Sequence, residues 1–202
     1  MAEVTAIILA AGLSRRMGRD NKLLLPINGV PMIRHVVDTY RVALDSPVIV
    51  VTGHEAQAVG AALADSDAIT VFNACYAQGQ QTSVACGMRV AGDGQDMLIG
   101  LGDQPLLRAG DIRALLRAHD QGAADRISIP MRDGQRGNPI LVPHGLRARL
   151  LADPASPGCK RFTRAHPEHV QFHPLEAAGF YSDSDTPEAY VALSTQRSQV
   201  PG

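Results

Sequence analysis

Strand-length apolar runs alternate with helix-length amphipathic stretches along most of this 202-residue chain, and that alternation constrains the fold more than any other feature. It is the pattern of successive βαβ units, in which parallel strands lie buried between two layers of helices. Residues 4–9 form a continuous apolar run, as a strand covered on both faces requires. Past Pro31, which suits a first helical turn, Met32, Ile33, Val36, Val37 and Tyr40 fall at helical spacing up to residue 42. The same reading predicts strands at 48–52, 69–72 and 97–101, alternating with helices over 55–63, 83–90 and 111–119. Beyond that the pattern loosens. Short strands at 127–130 and 140–142 flank a polar excursion at 131–139, and a short helix covers 146–151. An edge strand at 170–172, a closing helix at 187–193 and a frayed tail at 194–202 complete the expectation. The fold class expected is α/β: a three-layer, Rossmann-like α/β/α domain over 1–202, with a mostly parallel sheet and an irregular C-terminal half.

Composition removes several function classes. Nineteen Lys and Arg oppose twenty Asp and Glu, for a formal charge of −1, so the chain has no default polyelectrolyte surface. There is no Trp, and only four Tyr and four Phe, too few for platforms that stack single-stranded bases. No nucleic-acid partner is expected. The apolar run at 6–11 is far short of the roughly 18–20 residues needed to span a bilayer. Met1-Ala2-Glu3-Val4 carries no basic region of the secretory kind. Three cysteines, Cys75, Cys86 and Cys159, include no CxxC pair, which argues against a disulfide framework or zinc ribbon. A cytoplasmic protein with no membrane partner is the expectation.

The strongest chemical signal is the run Leu9-Ala10-Ala11-Gly12-Leu13-Ser14-Arg15-Arg16-Met17-Gly18, with Asn21-Lys22 just beyond. It leaves a buried strand with little side-chain bulk at Ala10, Ala11 and Gly12, so consecutive N–H groups can converge on phosphate oxygens. Arg15, Arg16 and Lys22 add three cations, the arginines suited to bidentate contacts and the lysine to a mobile point charge. A P-loop is excluded, because five residues separate Gly12 from Gly18 and Arg19 follows. The GxGxxG dinucleotide fingerprint is absent there as well.

The pattern LAAG-x-S-x-RMG-x-x-x-K resembles the signature of the MobA-like NTP transferases, which share the sugar-nucleotide-synthase (GT-A-like) fold. Its AAG version looks like the molybdenum cofactor cytidylyltransferase branch; the guanylyltransferase branch shows AGG where Ala11 stands here. The resemblance runs from Ala6 to about Tyr190. It implies a nucleotide-binding half over about 1–107 and an acceptor-binding half over about 108–193. It also implies that Leu9, Ala10, Ala11, Gly12, Ser14 and Arg15 hold the triphosphate, with Arg16 and Lys22 acting in catalysis.

Gly102-Asp103-Gln104-Pro105 follows the fourth predicted strand, and ligands of open parallel sheets gather beyond the strands' carboxyl ends. Taken alone, Asp103 reads more commonly as a turn cap; GDQP resembles the branch's metal-binding segment, which reverses that order and implies a Mg2+ ligand and catalytic residue. Asp183-Ser184-Asp185-Thr186-Pro187-Glu188 resembles the DxDTPED segment, which implies a second ligand, Asp185 by preference and Asp183 in reserve. Thr186 and Pro187 suit the opening of the last helix, and Ala189 replaces the pattern's final acid. Magnesium is accordingly the expected cofactor, because it favours one or two carboxylates together with substrate phosphates.

The segment from Asn73 to Ser83 resembles the family's N-x-x-x-x-x-G-x-x-x-S. Gln80 and Gln81 have amides able to read a base edge, and Ser83 suits base contact and a plain helix N-cap equally well. Arg136-Gly137-Asn138-Pro139 resembles the branch's G-N/H-P segment on the pterin-phosphate acceptor side, so Arg136, Gly137 and Asn138 are the expected acceptor residues. Where relatives continue with GDxGAR, this chain has Ser156-Pro157-Gly158-Cys159-Lys160-Arg161. Lys160 and Arg161 fit an anionic acceptor and solvated surface charge about equally. His166, His169 and His173 have inviting spacing, but Pro167 and Pro174 interrupt any helix that would align them into a zinc site. No G-x-S-x-G elbow supports a serine hydrolase.

The reading that the resemblance implies is CMP transfer from CTP to the terminal phosphate of a molybdopterin-type cofactor, releasing pyrophosphate. The partners would be the nucleoside triphosphate, that acceptor, and a molybdoenzyme or its maturation chaperone. Transfer to a sugar phosphate or other phosphorylated metabolite, and a non-catalytic nucleotide-binding module, are the alternatives.

Overall fold

The computed structural model describes residues 3–13, 21–152, 159–183 and 190. Ser14, Arg15, Arg16, Asp185, the Thr186-Pro187 helix opening, the closing helix and the tail lie outside the described residues.

Strand β1 (Val4–Ala10) is followed, among the described residues, by a 3-10 turn at Lys22–Leu24 and a small hairpin, β2 (Pro26–Ile27) and β3 (Val30–Pro31). Then follow α1 (Met32–Ala43), β4 (Val48–Thr52), α2 (Ala56–Ala62), β5 (Ile69–Phe72), α3 (Gln80–Val90), β6 (Asp96–Leu101) and α4 (Ala109–Asp120). The second half comprises β7 (Ile127–Arg132), β8 (Gln135–Arg136), β9 (Ile140–Val142), α5 (Arg147–Leu151), α6 (Cys159–Ala165) and β10 (Val170–Pro174). The main sheet has the order β10-β7-β9-β6-β1-β4-β5, with β8 paired to β7. β1 pairs in parallel with both β4 and β6, and β10 with β7, whereas β9 runs antiparallel to β6 and β7. The sheet is therefore mixed and mostly parallel, as expected.

Two cores cover its two faces, and β1 feeds both. Ala6, Ile8 and Ala10 enter a cluster with Ile33, Val37 and Tyr40 of α1. Ile7, between them in sequence, enters the other with Val84 and Met88 of α3. This alternation is the period-two geometry of a strand buried on both sides. Its cost is a tight approach under α1: Tyr40 lies fully buried against Gly100 of β6, where any Cβ would collide with the phenol.

Two tight hairpins escaped the periodicity reading, although both carry a local turn signal. Asn28-Gly29 joins β2 to β3 with φ of 52° and 81°, and Asp133-Gly134 joins β7 to β8 with φ of 51° and 78°. Asn-Gly and Asp-Gly are the pairs that adopt two consecutive left-handed residues most readily. The excursion at 131–139 is thus largely a hairpin. Helix α3 also starts three residues earlier than predicted, because Gly79 at φ 121° breaks the chain direction immediately before Gln80. Ser83 is consequently inside the helix, and its N-cap reading is corrected.

Candidate active site

The loops after β1 and β6 emerge side by side at the carboxyl edge of the sheet. The Gly102 N–H continues the pairing by donating to the Leu9 carbonyl at 3.0 Å, which sets Asp103 next to the start of the Ala10-Ala11-Gly12 turn. Ala10 and Ala11 are buried, whereas a Cβ at Gly12 would meet nothing within 4 Å, so the turn opens outward at the glycine. Gly53, just past β4, was not singled out from sequence. A Cβ there would lie 2.6 Å from the Tyr76 ring carbon and 2.8 Å from the Ala11 methyl, so only glycine lets Tyr76 close against the turn. The available signal was a glycine directly after a buried β-branched strand.

Lys22 reaches the same place from the opposite side. Its 3-10 turn is held by the Asn21 carboxamide, which accepts from the Leu23 N–H at 3.1 Å, and by Leu23, buried in the core. So anchored, the Lys22 ammonium donates to Oδ2 of Asp103, 81 residues away. Both side chains are only 13% exposed, which weakens solvent screening of the pair. Asp103 Oδ1 has no partner among the described residues, and as a hard oxygen donor it fits a magnesium ion that draws its remaining ligands from phosphates and water.

Asn73, at the end of β5, organises the next loop. Its backbone N–H donates to the Thr52 carbonyl at 2.9 Å and its carboxamide oxygen accepts from the Cys75 N–H at 3.0 Å. Its Nδ2 donates to the hydroxyls of Thr82 at 2.9 Å and Ser83 at 3.0 Å. Ser83 is buried and committed to this internal bond, so its side chain faces the scaffold. Gln81 turns back over Gly79 and donates to the Gln78 carbonyl at 2.9 Å, while Gln80 is exposed.

The Phe180 carbonyl joins three segments that are far apart in sequence. It accepts from the buried Gln104 amide at 3.2 Å and from the Asn138 N–H at 2.8 Å. Contact on either side is close enough to demand glycine: a Cβ at Gly137 would sit 2.9 Å from the Phe180 oxygen, and one at Gly179 2.6 Å from Leu107 Cα. The turn after β6, the Arg136-Gly137-Asn138 segment and the approach to Asp183 are thereby fixed against one another. Gln104, read only as part of GDQP, is the residue that locks the metal-type turn to the acceptor-type loop.

Between these parts opens a cleft of about 990 Å³. Leu9, Gln80 and Gln81 line one side, and Arg136, Gly137 and Asn138 line another, with α6 along the rim. Three of the predicted nucleotide residues therefore share one concavity with the predicted acceptor residues, whereas Ala10, Ala11, Gly12 and Ser83 do not line it. Lys22 and Asp103 do not line it and lie beside the β1 turn. The three histidines do not converge. His173 bonds to the Ser128 hydroxyl at 2.9 Å, whereas His166 and His169 pack around Phe162.

Residues 6–170 match the MobA-like NTP transferase domain. The chain belongs to that family. This MobA-like protein has an α/β fold of nucleotidyltransferase type, and it is an enzyme of that kind. Its solved neighbours include a nucleotidyl transferase from Methanothermobacter thermautotroptrophicus, with a TM-score of 0.82 at 25% identity over 96% of this chain and 97% of that one. Among curated relatives, nicotine blue oxidoreductase of Paenarthrobacter nicotinovorans is 30% identical over 94% of this chain and 96% of its own length. The bifunctional protein GlmU of Symbiobacterium thermophilum is 31% identical over 77% of the MobA-like chain, which spans only 32% of that longer protein. No helix among the described residues is long and apolar enough to cross a membrane.

Proposed function

We propose that this MobA-like enzyme transfers CMP from CTP to the terminal phosphate of a molybdopterin-type acceptor. One acceptor oxygen bonds to the α-phosphorus as the bond from that phosphorus to the bridging oxygen breaks, and pyrophosphate leaves with the electron pair. No general base is needed, since the attacking phosphate is already ionised. The observation that carries the reading is the Lys22–Asp103 ion pair, built across 81 residues at the carboxyl edge beside the small-residue turn.

The N–H groups from Ala10 to Gly12, with Leu9, Ser14 and Arg15, orient the triphosphate, and Gln80 and Gln81 face its nucleoside. Lys22 exchanges Asp103 for phosphate oxygens and, with Arg16, offsets the charge growing on pyrophosphate. Arg136, Gly137 and Asn138 hold the acceptor. Asp103, with Asp185, would hold Mg2+, which when bound neutralises phosphate oxygens and screens the two reacting anions from one another. CTP is favoured over GTP by the AAG form of the first turn. The product would pass to a molybdoenzyme or its maturation chaperone.

Pyrophosphate release measured with CTP, GTP, ATP and UTP, each with and without molybdopterin, tests this. The expected result is release with CTP that depends on the acceptor. Release that depends instead on a sugar phosphate would move the acceptor class. The likeness to nicotine blue oxidoreductase favours one second reading, oxidoreduction of nicotine blue. Turnover of nicotine blue, without pyrophosphate release, would select it.

A further inference from the structure

The described lining of the cleft is one-sided in charge. Arg136, Lys160, Arg161 and Arg164 all line it, and among the described residues no acidic side chain does. Arg136 comes from β8, and its guanidinium lies over the half-exposed Phe172 ring at 5.3 Å from the centroid. Arg164 comes from α6, where spacing of three and four residues places it on one face with Arg161 and Lys160. Burial, and then the neighbouring Arg164 charge, pulls the Arg136 guanidinium below its ordinary value. Two guanidiniums facing one concavity repel until an anion enters between them, and their planar forks match phosphate oxygens. The cleft's inner wall is of a different kind, because Val84, Ile99, Ile129 and Ile140 make it aliphatic.

We infer that Arg136 and Arg164 clamp the phosphate of the acceptor, and that the aliphatic wall selects a phosphomonoester with a flat or apolar body over one with a hydroxylated body. As a statement about the acceptor the inference rests on the nucleotidyl-transfer reading, but the binding site itself does not. The wall offers dispersion and burial to a ring system, whereas each sugar hydroxyl placed against it would lose its water without replacement. Arg164 is thus an acceptor-binding residue, and the wall sets which acceptor is preferred.

Calorimetric titration of the full chain with phenyl phosphate, glucose 1-phosphate and CTP tests the clamp. Phenyl phosphate is expected to bind at least about tenfold more tightly than glucose 1-phosphate. Arg164→Gln is expected to weaken phenyl phosphate about tenfold or more, while CTP affinity moves less than twofold and Arg164→Lys recovers part of the loss. Each ratio of ten corresponds to about 1.4 kcal/mol. Absence of phenyl phosphate binding, equal affinity for the two monoesters, or an unaffected Arg164→Gln variant would overturn it. Failure of pyrophosphate release with every triphosphate would instead overturn the transfer reading and leave the titration result standing.

Discussion

Strand β6 has an aspartate at each edge of the sheet, and the two are used in opposite ways. Asp96, at the amino edge, is buried and faces groups of the scaffold. Oδ1 accepts from the His144 N–H at 2.9 Å and lies 3.1 Å from His144 Nδ1, while Oδ2 is 4.0 Å from His119 Nε2. His119 continues inward to the Ser128 hydroxyl at 2.8 Å, which His173 and Gln171 also reach, at 2.9 and 3.0 Å. Asp103, at the carboxyl edge, has one oxygen on the Lys22 ammonium and the other without a partner among the described residues. An acid whose near partners are a backbone N–H and imidazoles of the scaffold serves the fold, and removing it takes the acceptor from the His144 N–H. An acid whose partner sits on a flexible four-carbon stem can be passed to a ligand at little cost. One strand thus separates structural from chemical use of the same residue type.

The contrast breaks first at Asp103. Asp103→Ala is expected to lower kcat/KM for pyrophosphate release by about 10²–10³-fold or more, the scale of a lost electrostatic contact to a developing charge. Its fold should be retained. Full activity in this variant would remove Asp103 from the chemistry. Asp96→Ala should do the reverse, lowering unfolding stability by about 1–3 kcal/mol through loss of the charged acceptor of the His144 N–H. Urea unfolding measures this, with activity per folded molecule retained. If Asp96→Ala lost activity without losing stability, the two edges would not be separable.

Much of this arrangement was legible in the sequence. The first half is built from continuous apolar strands and amphipathic helices, so its layers, and the placing of Asp103 beyond β6, follow from periodicity alone. Asp103 and Lys22 were each named, but the bond between them depends on the 3-10 turn that Asn21 and Leu23 hold, which no periodic pattern announces. The second half was harder, because β8 and β9 have only two and three residues, and turn geometry rather than hydrophobic spacing defines them. Asn28-Gly29 and Asp133-Gly134 carried that information locally. Gln104 was hidden for a different reason. A buried amide linking residues 75 and 76 positions away has no signature except its tertiary partners. Ser83, conversely, matched a motif position, and its buried hydroxyl accepts from Asn73.

The smallest expected effect, a pH slope, sharpens the comparison most finely. Burial lowers the pKa of His119, although the Asp96 and Asp120 charges pull it partly back up; His173 is lowered by burial and then by His119. Unfolded histidines take up protons as pH falls through about 6.5, before their folded counterparts do. The unfolded state therefore binds more protons in that range, and stability, full above about pH 6.5, declines as pH drops toward the depressed folded values. Urea midpoints at pH 7.5 and 5.5 should show the decline in the parent protein. Asp103→Ala should show it unchanged, because its acid faces Lys22 and not the imidazoles. Asp96→Ala removes the charge that holds His119 up, so the folded value falls further and the decline steepens. A flatter slope in Asp96→Ala would mean that burial does not keep His119 neutral, and that the carboxylate at the amino edge works as half of an ion pair, as the one at the other edge does.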